Sequence, residues 1–195
     1  MPAPLRAWKK GFVETVLRRT FVQGFMAAFT LAGALLCPSW PALASDGTPT
    51  HPLLGRPAPE LLQRLVSGKG TNFRLSEHRG EVVLLGFWTS WCGSCGDYLG
   101  QLRRLDETYA RAGLVVAGVS LDDESARAVS ALRSAGIKFA NGVDATKAYG
   151  QRFSVDDVPL SLLIDRDGIV RYVHGALDGP ADAAVLKEIR QLLDE

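Results

Sequence analysis

The sequence predicts an α/β fold in which a mixed central sheet is flanked by helices, with an N-terminal extension ahead of it. Three patterns carry that prediction. Glu81–Trp88 is a near-continuous apolar run of strand length, the signature of a strand covered on both faces. Apolar residues at helical spacing follow it, and a second apolar run at Leu114–Leu121 completes a β-α-β alternation. Two further apolar runs flank Asp165-Arg166-Asp167-Gly168, a glycine-closed loop that joins antiparallel strands. With 195 residues, 47% apolar and 22% charged, the chain fits one globular domain plus a short appendage.

The appendage comes first. Residues 1–44 hold five basic side chains (Arg6, Lys9, Lys10, Arg18, Arg19) and one acid (Glu14) before an apolar run, Phe21–Leu36. Its 16 residues fall short of the roughly 20 that a spanning helix needs. Ala42-Leu43-Ala44 then supplies the small-x-small pattern of a signal-peptidase site. Residues 1–44 are therefore predicted to be an export signal, cleaved after Ala44. Arg18-Arg19-Thr20-Phe21-Val22-Gln23 resembles the twin-arginine export box, with Leu17 departing from the usual hydroxyl residue. An ordinary secretory signal and an uncleaved membrane anchor are the alternatives. Every route leads out of the cytoplasm, and the periplasm is the expected compartment.

Residues 45–58 are predicted to be a lead-in to a domain spanning 59–195, with His51–Pro59 extended by its three prolines. A short helix is predicted at Pro59–Val66. After the buried strand, Leu99, Leu102, Leu105 and Tyr109 predict a helix ending near Gly113. Beyond the strand Leu114–Leu121, Asp122 or Asp123 is expected to cap a helix whose buried face carries Ala126, Val129 and Leu132, ending at Gly136. Strands at Leu160–Ile164 and Ile169–Val173 form the hairpin. Pro180 opens a last helix with Val185, Ile189, Leu192 and Leu193 on its buried stripe.

Charge and cysteine counts narrow the function. Twenty-two basic against 21 acidic residues give a net charge of +1, too balanced for gripping a phosphate backbone, so no nucleic-acid partner is expected. Loss of residues 1–44 also removes Cys37 and leaves Cys92 and Cys95, with 17 basic against 20 acidic side chains, a charge of −3. Two thiols this close in an oxidising compartment are driven toward a disulfide unless a partner reduces them.

The pair lies in Trp88-Thr89-Ser90-Trp91-Cys92-Gly93-Ser94-Cys95, between a buried strand and a helix. A cysteine at or just before the helix start has its thiolate favoured by free N–H groups and the helix dipole, whereas one a turn further in is shielded. Cys92 is thus the predicted nucleophile and Cys95 the resolving residue. The dipole's 0.3–2 kcal/mol lowers a thiol pKa by roughly one unit. A structural disulfide closing so short a loop stabilises little. A metal centre needs about four ligands, and His51, His78 and His174 are isolated from one another. No metal and no cofactor are expected, although a two-sulfur copper or zinc carrier stays open.

These residues resemble the thioredoxin superfamily, more closely its exported TlpA/ResA-like thiol:disulfide oxidoreductases. The resemblance covers about residues 51–193. It rests on Leu54-Gly55-Arg56-Pro57-Ala58-Pro59, Leu75-Ser76-Glu77 before Gly80, the Phe87–Cys95 block, and Val158-Pro159 leading into Leu163–Gly168. It implies a thioredoxin-like fold, a cis Pro159 facing the cysteines, and a Val158 backbone that pairs with an extended substrate segment like an added strand. Trp91 is assigned to the apolar surface around the sulfurs, and Trp88 reads equally as core. The resemblance also implies protein disulfide or dithiol substrates and a membrane electron donor of the DsbD/CcdA kind. Cytochrome c or copper-centre assembly is the implied setting, and a monomer is expected.

Four positions depart from the family pattern. Ser94 replaces the usual proline before the second cysteine. Tyr98 and Gly100 replace a glutamate and a proline, and Gly86 stands where thioredoxins carry a buried aspartate. Neither familiar carboxylate is present to take the Cys95 proton, and Asp97 is the nearest acid. Losing that charge and the proline is expected to favour the Cys92 thiolate and move the couple toward the oxidising side of its relatives. A thiol peroxidase is the rival enzyme: peroxiredoxins carry threonine three residues before the reactive cysteine, as Thr89 stands here, but have proline where this chain has Leu85.

Overall fold

The computed structural model describes residues 51–177 and 180–195, with no side chains described for 180–182. The predicted export signal, residues 1–44, and the start of the predicted lead-in fall outside these residues. Seven strands form one mixed sheet: β1 (Leu62–Ser67), β2 (Asn72–Arg74), β3 (Val82–Trp88), β4 (Leu114–Ser120), β5 (Ala140–Val143), β6 (Leu160–Ile164) and β7 (Val170–His174), in the order β2-β1-β5-β4-β3-β6-β7. β3, β4 and β5 run parallel, while β6 is antiparallel to β3 and β7 to β6. Four helices complete the domain: α1 (Cys95–Tyr109), α2 (Ser125–Ser134), α3 (Ala148–Arg152) and α4 (Pro180–Asp194).

All seven residues of β3 are buried, because both faces of this strand are covered, as its unbroken apolar run requires. Val82, Leu84 and Trp88 join one core with residues of α1, α2 and α4. Val83, Leu85 and Phe87 join the other with Phe73, Phe153 and Leu162. Burying one such side chain contributes about 1.5–3 kcal/mol, so this strand fixes the sheet and, through its C-terminal end, the cysteine loop.

Several expectations are corrected. Leu62–Ser67, read as part of a helix, is strand β1: Leu61 and Gln63 are buried and Leu62 and Arg64 exposed, the period of two that β pairing with β2 and β5 imposes. The lead-in is not extended throughout, since it turns at Pro52–Gly55, with Gly55 at φ 73°, before Pro57 bridges to Ile169. Neither Asp122 nor Asp123 caps α2; Glu124 occupies that position, and its side chain makes no capping hydrogen bond to the helix backbone. The buried stripe of α2 is Ala128 and Leu132, and Ala126 is exposed. β2, β5 and α3 were not foreseen.

The other elements lie where the sequence puts them. α1 runs into a 3-10 turn at Ala110–Ala112 and stops at Gly113, whose φ of 99° is a left-handed conformation that glycine takes at no steric cost. The β6–β7 loop turns on Gly168 (φ 77°), and the Asp165 carboxylate accepts the N–H groups of Asp167 and Ile169 at 3.0 and 2.8 Å. Val185, Ile189 and Leu192 are buried on α4.

Candidate active site

The C-terminal end of β3 delivers Thr89-Ser90-Trp91 to the head of α1. Asp122, just past β4 and 1% exposed, holds this turn. Its carboxylate accepts the Ser90 N–H at 3.0 Å, the Ser90 hydroxyl at 2.7 Å and the Ser120 hydroxyl at 2.7 Å. Sequence reasoning gave Asp122 to a helix cap, because its partner Ser90 lies 32 residues away. A buried carboxylate with three donors is satisfied in place, and it ties the loop before Cys92 to the end of the neighbouring strand.

Cys92 and Cys95 are joined in a disulfide with their Cα atoms 5.3 Å apart. Helix α1 opens at Cys95, so Cys92 stands a turn ahead of it rather than at its first residue, and the Cys95 N–H donates to the Cys92 carbonyl at 3.1 Å. Access differs between the two. Cys92 is half-buried, whereas Cys95 is 2% exposed and packed among the residues of the first core. The Ser94 hydroxyl lies 3.6 Å from Cys92 Sγ, where it donates to sulfur.

Pro159 immediately precedes β6. The Val158-Pro159 peptide is cis, and the Val158 carbonyl oxygen lies 3.7 Å from Cys92 Sγ. Trp91, which precedes Cys92 in the chain, is 70% exposed, whereas Trp88 is fully buried with its indole N–H donated to Asn141 Oδ1 at 3.2 Å. Trp88 is therefore core. Two grooves flank Val158: one lies between Trp91, Leu121 and Val155, the other between Ser94, Pro159 and Ala176.

The two places where the resemblance led carboxylates to be expected are filled by a single side chain. Tyr98 is 1% exposed, and its hydroxyl lies 2.7 Å from Ser161 Oγ and donates to the Leu160 carbonyl at 3.1 Å. Gly86, the cross-strand partner of Ser161, leaves the space into which this hydroxyl reaches. Burial pushes the Tyr98 phenol well above its ordinary pKa, so it stays protonated and cannot act as a base. Asp97 is exposed on α1. The three histidines are far apart in role: His51 contacts the Ser154 carbonyl, His78 pairs with Glu81, and His174 pairs with Glu188.

Comparison with known proteins agrees with this geometry. The AhpC/TSA family model matches residues 54–173. Thiol-disulfide oxidoreductase ResA of Geobacillus kaustophilus is 27% identical over 120 residues, covering 62% of this chain and 68% of that protein. Thiol:disulfide interchange protein DsbE of Escherichia coli K12 is 30% identical over 127 residues, covering 63% and 65%. The chain thus spans about two thirds of the length of these relatives. Among solved structures, a Chlorobium tepidum protein described as thiol:disulfide interchange protein DsbE superposes with a TM-score of 0.64 at 30% identity, covering 72% of this chain and 96% of that one. The sheet order, the Cys-x-x-Cys at the head of α1 and the match across residues 54–173 lead to one conclusion: the chain belongs to the AhpC/TSA family, as a thioredoxin-like protein of the ResA and DsbE thiol:disulfide oxidoreductase kind.

Proposed function

We propose that this protein exchanges disulfides with partner proteins outside the cytoplasm, through Cys92 and Cys95. The observation that carries the reading is the unequal access of a bonded pair: Cys92 is reachable from solvent and lies 3.7 Å from the Val158 carbonyl, and Cys95 is buried behind it. In the reductive direction, the Cys92 thiolate attacks a partner's disulfide, forming a mixed disulfide and releasing one partner thiolate. Cys95, as thiolate, then attacks Cys92 Sγ, releasing the second partner thiolate and leaving the Cys92–Cys95 disulfide. Val158 offers a backbone edge and Trp91 an apolar surface to the partner's extended segment.

Residues 1–44 support export by the twin-arginine route, with the periplasm as destination. No helix among the described residues is long and apolar enough to cross a membrane. The resemblance to exported TlpA/ResA-like oxidoreductases is what supports an electron donor of the DsbD/CcdA kind and targets in cytochrome c or copper-centre assembly. The domain works as a monomer in this reading. A Cys95→Ser variant tests the assignment: it should accumulate covalent partner adducts through Cys92, and adducts formed through Cys95 in the converse variant would overturn it.

One observation favours a peroxidase instead: Thr89 is 2% exposed, and its hydroxyl has no hydrogen-bond partner among the described residues. Leu85 stands against it, where peroxiredoxins have proline. Peroxide consumption by the reduced protein separates the two activities. Metal titration against a chelator tests the copper or zinc carrier.

A further inference from the structure

Strand-like pairing with a partner uses both polar groups of an edge residue, its C=O as acceptor and its N–H as donor. At Val158 the donor is already occupied. The Asp157 carboxylate accepts the Val158 N–H at 2.8 Å, and this is its only hydrogen bond or ion pair among the described residues. Asp157 is exposed, and it lines both grooves that flank Val158. Among the described residues neither core includes Asp157, whereas Val158 itself packs against both cores.

We propose that Asp157 is a specificity-determining residue that occupies the Val158 N–H in the free protein and must release it before a partner's backbone carbonyl can bind there. The proposal rests on the disulfide-exchange reading above and deepens it. The carboxylate stands in for the incoming carbonyl, so a small disulfide that needs no backbone pairing reaches Cys92 without displacing it, while an extended polypeptide has to compete. The effect discriminates against weakly pairing segments and favours partners that add further strand contacts on either side of their cysteine. A hydrogen bond in such competition has a net worth of about 0.7–1.4 kcal/mol, which corresponds to about 3- to 10-fold in a rate or binding constant.

The test uses pre-reduced full-length protein in single turnover with two substrates that share a leaving group. One is a neutral extended peptide whose single cysteine is disulfide-bonded to 2-thiopyridine; the other is 2,2′-dithiodipyridine. Cys92 attacks each, and thiopyridone release reports the rate. In Asp157→Ala the ratio of the peptide rate constant to the dithiodipyridine rate constant should rise about 3- to 10-fold, and in Asp157→Asn, which keeps an uncharged acceptor oxygen, by less. A ratio that stays constant or falls, or a larger rise in Asp157→Asn than in Asp157→Ala, overturns the proposal. Wild-type protein inert toward both substrates would instead defeat the exchange reading on which it stands.

Discussion

The hydroxyl of Tyr98 fills the space above Gly86, so that a methyl group at position 86 would run into it. Leu102 closes the same space from one turn further along α1. Two apparent gaps in the family pattern, a missing carboxylate on β3 and another on α1, are one exchange of volume and polarity. A phenol anchored to Ser161 and Leu160 replaces them and joins the helix carrying Cys95 to the strand that follows Pro159.

Gly86→Ala should therefore destabilise the fold by about 1–3 kcal/mol through overpacking, read as a lower denaturant midpoint. Tyr98→Phe should cost about 1–3 kcal/mol by leaving the buried Ser161 hydroxyl and Leu160 carbonyl short of a partner. The two effects should not add. The double variant should show a coupling of about 0.5–3 kcal/mol, because removing the hydroxyl makes room for the methyl.

Stability should fall at high pH through Tyr98. Its folded-state pKa is raised by burial above the unfolded value of 10.0, so above pH 10 the unfolded chain loses the proton first and the folded state binds more protons. The stabilisation is complete below pH 10 and is lost, at about 1.4 kcal/mol per pH unit, as pH rises toward the folded value. Chemical denaturation at pH 9, 10 and 11 checks this, and Tyr98→Phe should flatten the alkaline slope by that amount.

Ser94 offers a donor to Cys92 Sγ that proline or alanine cannot. Stabilising the Cys92 thiolate stabilises the reduced form and raises the potential. Ser94→Ala and Ser94→Pro should each lower it by about 10–30 mV, taking a hydrogen bond of 0.5–1.5 kcal/mol and a two-electron couple. Equilibration with glutathione reads the shift, and a potential raised by Ser94→Pro contradicts the role given to this hydroxyl.

Asp122→Ala should cost about 3 kcal/mol, since it strands the buried hydroxyl of Ser120 and frees the Ser90 turn. The alkylation rate of Cys92 should change with it, because the turn sets the position of that sulfur. Trp91→Ala is the contrast. Exposed side chains of this kind change stability by no more than about 0.5 kcal/mol, while the rate with an extended peptide should drop.

The strands that carry the site were legible because each is self-sufficient as a pattern. β3 is apolar throughout and β4 in all but its last residue, Ser120, and the β6–β7 hairpin is marked by Gly168. β1 was misread since Leu61, Leu62 and Leu65 also fit a helical face, and only its antiparallel partners decide between the two periods. β5 is four residues long and α3 five, too short for either period to register. At the site, Cys92, Cys95 and the Val158-Pro159 step were visible as motifs. The roles of Asp122 and Tyr98 were not, because each depends on a partner more than 30 residues away.

Since Cys95 is sealed beneath the surface while Cys92 is not, the proposed exchange takes up and gives up a partner through the same outer atom. Forward and backward traffic then share one intermediate, so the access pattern by itself sets no direction for the electrons and leaves that to the potential of the couple. Which way they flow in the organism is decided by whatever replenishes the pair, much as a turnstile admits either crowd according to which side is pushing.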